Sequence, residues 1–420
     1  GDHRDLHYPL RRQRQMCIRD SFFLVWFNFR CNAMIIDFVE ALAEISKDDW
    51  NKIHLNEYPF LKYDFLKSLE DTKCVASNKG WTPLHITVED KNQIIGAMPM
   101  YVKTDSQGEF IFDWSWADAY YRNGLDYYPK LVSSIPFTPA SGPRLLSSDK
   151  NKNVEMIKAV SDAMKDLTQE NNFSSSHVLL ANQNELDAFS EEGFSIRTSY
   201  SYHWFNNNYE NFDHYLEDMT SRQRKNIKKE RQKIHDQDVH LVRYIGEDIT
   251  SSMLESFYQF YQVTYLKRGM RGYLNLEFFE SIIKLIPESI MLVMAVNKSG
   301  DFVAGAFNFY DDEKLYGRYW GCLEEYDSLH FETCYYQGIE FCIENALKSF
   351  DPGVQGEHKI KRGFCPIETY SAHWIRDIRF KEAIDDFLNR ERVHILQYNE
   401  DRKSLLPFRK EVISNLYEKI

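Results

Sequence analysis

The feature that most restricts how this chain can fold is a pattern it carries twice. Residues 84–102 read LHITVEDKNQIIGAMPMYV, and residues 292–310 read LVMAVNKSGDFVAGAFNFY. Each is an alternating apolar run, a polar turn, and a second alternating run with a glycine near its start, Gly96 or Gly305. Alternation with period two, broken by turn formers, predicts a β-hairpin. An aromatic segment follows each hairpin, GEFIFDWSWAD in the first half and KLYGRYWGC in the second, and alternation predicts a third strand in both. An internal repeat of this kind means one structural unit written twice in tandem. The length agrees, since 420 residues exceed what one hydrophobic core usually organises.

The two copies diverge after the third strand. In HFETCYYQGIEFCIENALKSF, Phe331, Cys334, Tyr335, Ile339, Cys342, Ile343 and Leu347 recur at helical steps and give one apolar face. The matching region of the first half, YYPKLVSSIPFTPASGPRLL, carries Pro129, Pro136, Pro139 and Pro143, which no long helix tolerates. A helix over 151–171, a strand in HVLLAN, a helix in QNELDAFSEE ended by Gly193, and a strand in GFSIRTSYSYHWF close the first unit. Turn formers in FNNNYENF place the boundary near 205–212. The expected class is α/β, with mixed sheets, in two tandem units over 34–208 and 209–395 and a helical tail over 396–420.

Residues 1–33 match neither unit and are expected to be a non-native or disordered extension, with the natural start at Met34. Their apolar run FFLVWFNF is too short to span a bilayer, and no small-residue cleavage site follows it. Seven scattered cysteines without metal-ligand spacing point to reduced thiols in a cytoplasm and to no metal site. A net charge of −12 argues against general DNA binding. One segment runs against that balance: Arg222, Arg224, Lys225, Lys228, Lys229, Arg231 and Lys233 face only Glu230 within residues 221–235. A basic helix capped at Thr220 or Ser221 is expected there, either a solvated face balanced by Glu210, Asp213, Glu217 and Asp218 or a surface for tRNA, a lipid-linked diphosphate or an anionic membrane.

The order helix, hairpin, long strand, helix, strand, repeated in tandem, resembles the GNAT acyltransferase fold. More closely, FDWSWADAYYRNGLDYYPKL, PFTPASGPRLL, SRQRKNIKKER, HFETCYYQGIEFCIE and QGEHKIKRGFCPIETYSAHWI are similar to the bacterial FemAB-like branch associated with peptidoglycan. The resemblance covers residues 45–395. It implies a transferase that moves an acyl or aminoacyl group to an amine of a small molecule or cell-wall precursor, with acyl-CoA or aminoacyl-tRNA as donor. The glycine-rich pyrophosphate loop of ordinary GNAT enzymes is missing before HFETCYYQGIEF, where GCLEEYDSLH carries Glu324, Glu325 and Asp327. A retained cleft without turnover, in a ligand-binding protein, is the alternative.

Acyl transfer to an amine needs a base, a polarised carbonyl and a proton for the leaving group. The stretch DPGVQGEHKIKRGFCPIETYSAHWI concentrates such groups between glycines. Glu357, with a pKa raised by burial, and His358 are the expected catalytic pair. Gln355, Lys359, Arg362, Glu332 and His373 are expected to contact substrate, with Glu357 clamped to Lys359 or Arg362 as the competing structural reading. In the first half Asp113, Trp114, Asp118 and Tyr121 offer a groove for a sugar, amino acid or peptide, and Arg144 beside Gly142 and Pro143 offers an anion anchor. The two sets are expected to share one cleft between the halves. Ser371 and His373 lack a nucleophile-elbow pattern, which excludes a serine-hydrolase reading. A glycosidase using Asp113 and Asp118 finds no support in the fold.

Overall fold

The computed structural model describes residues 29–31, 34–55, 57–353 and 356–418. Residues 1–28, 32 and 33, most of the expected N-terminal extension, lie outside the described residues, as does Gln355.

The first half contributes strands β1 (Phe29–Cys31), β2 (Met34–Val39), β3 (Trp81–Pro83), β4 (His85–Asp90), β5 (Gln93–Met98), β6 (Tyr101–Lys103), β7 (Lys130–Ser133), β8 (Leu146–Ser147), β9 (Ser175–Leu179) and β10 (Ser195–Phe205). The second half contributes β11 (His240–Ile245), β12 (Ile290–Val296), β13 (Phe302–Tyr310), β14 (Lys314–Cys322), β15 (Ser349–Asp351) and β16 (Cys365–Ile375). Strands β1-β2-β4-β5-β8 form one sheet, and β11-β12-β13-β14-β15-β10-β16-β9-β7-β6-β3 form the other.

Both expected hairpins are present, as β4–β5 and β12–β13. Gly96 sits opposite Val88 and Gly305 opposite Met294. A Cβ at Gly96 would approach Met156 Sδ to 2.9 Å, and one at Gly305 would approach Phe257 to 3.2 Å. Each glycine therefore lets a helix, Asn153–Glu170 or Ser251–Leu266, lie flat on its hairpin. Each half also has a parallel pair, β7 with β9 and β14 with β15.

The halves exchange their last strands. β10, the end of the first half, pairs with β15 and along nine positions with β16, while β16, the end of the second, pairs with β9. Aromatic packing crosses the halves as well: Phe65 meets Phe278 at 5.7 Å and Phe309 at 5.6 Å, edge to face. All three rings are fully buried, each contributing about 1.5–3 kcal/mol.

Two expectations about elements are corrected. Residues 114–122 are not a third strand but a helix, Trp114–Arg122. Trp116, Ala117 and Tyr120 form its buried face while Trp114, Asp118 and Tyr121 face out, so the aromatic spacing follows the helical period. At the other end, helix Ile378–Lys403 runs through residue 395, so the expected start of the tail at 396 falls inside one element that packs on β10 and β16.

Candidate functional site

A cleft of about 700 Å³ is lined by Gln223, Asn226, Lys229, Glu230 and Lys233 of helix Ser221–Asp236, by Phe331, by the 3₁₀ turn Glu357–Arg362, and by Leu405. The turn lies between β15 and β16 in the chain.

Gly356 makes that turn possible. It has φ +107°, and a Cβ there would meet the His358 ring at 2.3 Å. The imidazole thus lies over the glycine, where its Nε2 is 2.8 Å from the Tyr335 hydroxyl. His330 and Phe331 pack around it at ring separations of 5.7 Å. Tyr335 comes from a π-helical turn, Glu332–Tyr336, inside the helix that the apolar spacing predicts. Desolvation of the packed side of His358, with Arg362 and Lys359 nearby, holds its pKa down to about 4, so the ring is neutral at pH 7.

Arg362 is buried, donates to both Glu230 carboxylate oxygens at 2.8 and 2.9 Å, and stacks on Phe331 at 3.3 Å. Glu230 also accepts from the Tyr336 hydroxyl. The basic helix is thereby tied to the turn that carries His358. Of its cations, Arg231 binds Glu332 and Glu340, Lys228 binds Asp213, and Lys233 binds Asp327. Among the described residues Arg222, Lys225, Lys229 and, on the turn, Lys361 hold no ion pair and are exposed. In the acidic loop before the helix, Glu325 pairs with Lys267 and Asp327 with Lys233, while Glu324 accepts from the Tyr326 hydroxyl and keeps its charge.

Several expected roles do not fit this geometry. Glu357 is exposed, accepts from the Tyr398 hydroxyl at 2.8 Å and pairs with Arg402 at 2.7 Å. Those hydrogen bonds lower its pKa instead of raising it. It is clamped, though to the C-terminal helix and not to Lys359 or Arg362. Lys359 is buried and donates to the carbonyls of Gly353 and Pro352, so it braces the turn; burial brings its pKa down to about 8. Glu332 is buried against Arg231 and Gln337. Arg144 is no anion anchor, because its guanidinium is spent on the carbonyls of Leu179, Gly142, Pro143 and Ala140.

The expected first-half residues do not join this cleft, which no first-half residue lines; a smaller pocket does span both halves, between Phe110, Ile111, Tyr200, His203, Asp351 and Thr369, but none of the expected site residues lines it. Asp113 instead enters a sealed network. Lys130 donates to Asp113, to Glu109 at 2.8 Å and to Ser106 at 2.9 Å, and the Tyr127 hydroxyl donates to Asp113 at 2.6 Å. His177 joins Tyr127 to His373, whose Nδ1 lies 2.7 Å from that of His177. His373 is thus a core residue under Trp116 and not a substrate contact. Trp114, Asp118 and Tyr121 are exposed on the outer side of their helix.

Sequence reasoning named Lys229 and Glu230 only as part of the basic run and Tyr335 only as part of an apolar helix face, and did not single out Lys361. The basic run did signal the last helix face, but only the structure shows that Glu230 aims inward. Among the described residues no group of three or more His, Cys, Asp or Glu side chains is placed to hold a metal, and no helix is long and apolar enough to cross a membrane.

A hairpin and a parallel strand pair recur in each half, and with the mixed sheet that joins the halves they give a tandem GNAT-like α/β fold. The chain belongs to the FemAB-like family, described as peptidoglycan biosynthesis/recognition, which it matches over residues 41–410. The C-terminal domain of a putative lysylphosphatidylglycerol synthetase from Agrobacterium fabrum shares the fold at TM-score 0.51 and 8% identity, over 83% of this chain and 97% of that one. FemX is similar at TM-score 0.49 and 13% identity, over 81% and 98%. A tandem GNAT protein from the clavulanic acid biosynthesis pathway is similar at 0.43 and 8%, over 81% and 99%. No curated protein matches the chain in sequence.

Proposed function

We propose that the chain transfers an acyl or aminoacyl group from a phosphate-bearing carrier to an amine of a cell-wall precursor, and that the second-half cleft receives the carrier. The observation that carries this reading is the cleft wall itself. Lys229 and Lys361 project unpaired beside Arg362, across from a neutral His358 hydrogen-bonded to Tyr335. Unpaired cations in a concave site attract phosphates, and their field stabilises an oxyanion on a carbonyl held among them. A neutral imidazole can take a proton from an attacking ammonium. Desolvation, with Arg362 and Lys359 nearby, makes it a weak base in the empty cleft, but the negative charge of a phosphate bound at Lys229 and Lys361 would raise its pKa. Tyr335, buried behind the ring, holds the imidazole in place, and the imidazolium formed by taking the ammonium proton returns that proton to the leaving group.

Both aminoacyl-tRNA and acyl-CoA carry such phosphates. Single-turnover transfer from each donor to an amine-bearing pentapeptide precursor tests the proposal. Product from one donor is expected. Tight binding of donor and acceptor with no product from either would favour the alternative, a ligand-binding protein that keeps the duplicated fold without turnover.

A further inference from the structure

The exposed face of helix Trp114–Arg122 is not used by the cleft, and its chemistry is specific. Trp114, Asp118 and Tyr121 stand at steps of four and three, which places them in one stripe about 10 Å long. Trp114 is 58% exposed and Tyr121 51%, far more than aromatic side chains in a packed fold usually show. Phe112, also exposed, extends the stripe by packing on Trp114 at 4.7 Å between ring centroids. Among the described residues Asp118 has no ion pair or hydrogen-bond partner, and its charge acts on the Tyr121 hydroxyl.

The stripe is rigidly mounted. Beneath it Trp116 and Tyr120 are buried, Trp116 edge-on to His373 and Tyr120 stacked on Phe380 at 3.9 Å. Arg197 donates to the Phe112 carbonyl at 2.7 Å and binds Glu391 through two nitrogens. Exposed aromatics held this firmly lose little entropy on contact. Glu391 also relates the stripe to the cleft. Arg402, which clamps Glu357 at the cleft edge, follows Glu391 on the same helix by three turns, about 16 Å, and so lies on the same face. Tyr200, 36% exposed and packed on Tyr398 at 4.7 Å, lies between the two points.

We propose that Trp114, Asp118 and Tyr121 form a saccharide-binding ledge that takes the glycan part of a cell-wall acceptor. Aromatic faces pack against the C–H faces of pyranose rings, and a free carboxylate between them accepts hydroxyl protons. The stripe matches two rings in length. Asp118 and the neighbouring exposed Asp126 oppose an anionic bilayer, and a flat protein partner would leave Asp118 unpaired. The family's description, peptidoglycan biosynthesis/recognition, supplies a glycan as the fitting occupant. The ledge deepens the proposed function by naming the acceptor's class, but it is read by binding alone, without donor or turnover.

The probe is N,N′,N″-triacetylchitotriose, titrated into the full chain by calorimetry and tryptophan fluorescence. Saturable binding with altered tryptophan emission is expected. Trp114→Ala should weaken it about tenfold, as loss of one aromatic anchor does, and Asp118→Asn about threefold, with melting temperatures unchanged because both side chains are exposed. No saccharide binding, or equal binding by Trp114→Ala, overturns the ledge. So does loss of a dimer, or of binding to phosphatidylglycerol vesicles, on Trp114→Ala in place of lost trisaccharide binding. A chain that binds the trisaccharide but transfers nothing would sink the transfer reaction and leave the ledge standing.

Discussion

The two parallel strand pairs, β7 with β9 and β14 with β15, are copies of one element put to opposite uses. Beside β7 and β9 the fold concentrates Lys130, Glu109, Asp113, Tyr127, His177 and His373, and buries all of them. In the second half, by contrast, Lys229, His358 and Lys361 reach solvent at a cleft. Duplication thus separated a rigid ionic core from an accessible site. The difference teaches that a dense set of titratable residues is no pointer to chemistry until its access to solvent is known. The first-half network perturbs pKa values as strongly as any active site, with Glu109 pushed up to about 7 by burial, yet nothing can enter it.

The largest expected effect comes from breaking the sealed side. Lys130→Met strands two buried carboxylates, Asp113 and Glu109, and should lower unfolding free energy by about 3–5 kcal/mol in urea titration. A loss no larger than that of a surface variant would show that water reaches the network. Next comes the open side. Lys361→Ala should cut single-turnover transfer by about 10²-fold, the scale of one lost electrostatic contact at a reacting centre, while the melting temperature holds. Parent-like transfer would move the donor site elsewhere.

The pH dependence of stability sharpens the contrast. Glu109 titrates near 7 in the fold, above its ordinary value of 4.5, so its neutral form is favoured there. Its contribution to stability is complete below pH 4.5 and is lost as pH rises through about 7. In Glu109→Gln the fall in urea midpoint between pH 5 and pH 8 should flatten; an unchanged slope would assign it to another group. The smallest effect is expected at Glu357. Because the residue is exposed and its pKa is lowered by Tyr398 and Arg402, Glu357→Gln should keep transfer within about threefold of the parent. A collapse of turnover with normal donor binding would restore it as the base.

What could be read from the sequence followed from local periodicity and ended where long-range pairing begins. The hairpins around Gly96 and Gly305, the helix ended at Gly193 with φ +84°, and the long apolar helix face through Ile339 and Cys342 all declare themselves within a few residues. In WSWADAYY two periods compete: alternating tryptophans suggest a strand, but Trp116, Ala117 and Tyr120 need one helical face to cover His373 and Tyr127. The exchange of β10 and β16 joins residues such as Ser195 and His373, which share no local signal. Glu357 was misread for the same reason, since its partner Arg402 lies far along the chain, whereas Arg144 turns back onto the nearby carbonyls of Ala140, Gly142 and Pro143 as well as that of Leu179. The residues of the cluster over 351–375 divide between the cleft and the core. His358 and Arg362 line the cleft, whereas Lys359 and His373 serve the core.

The central claim, that the second-half cleft receives a phosphate-bearing carrier, is tested most directly by following the His358 ring protons by NMR as inorganic pyrophosphate is added. In the empty cleft the ring should titrate near pH 4. Phosphate bound at Lys229 and Lys361 should raise that midpoint saturably, by about one pH unit, and Lys361→Ala should blunt the shift. A midpoint that stays near 4 at saturating pyrophosphate would contradict the account.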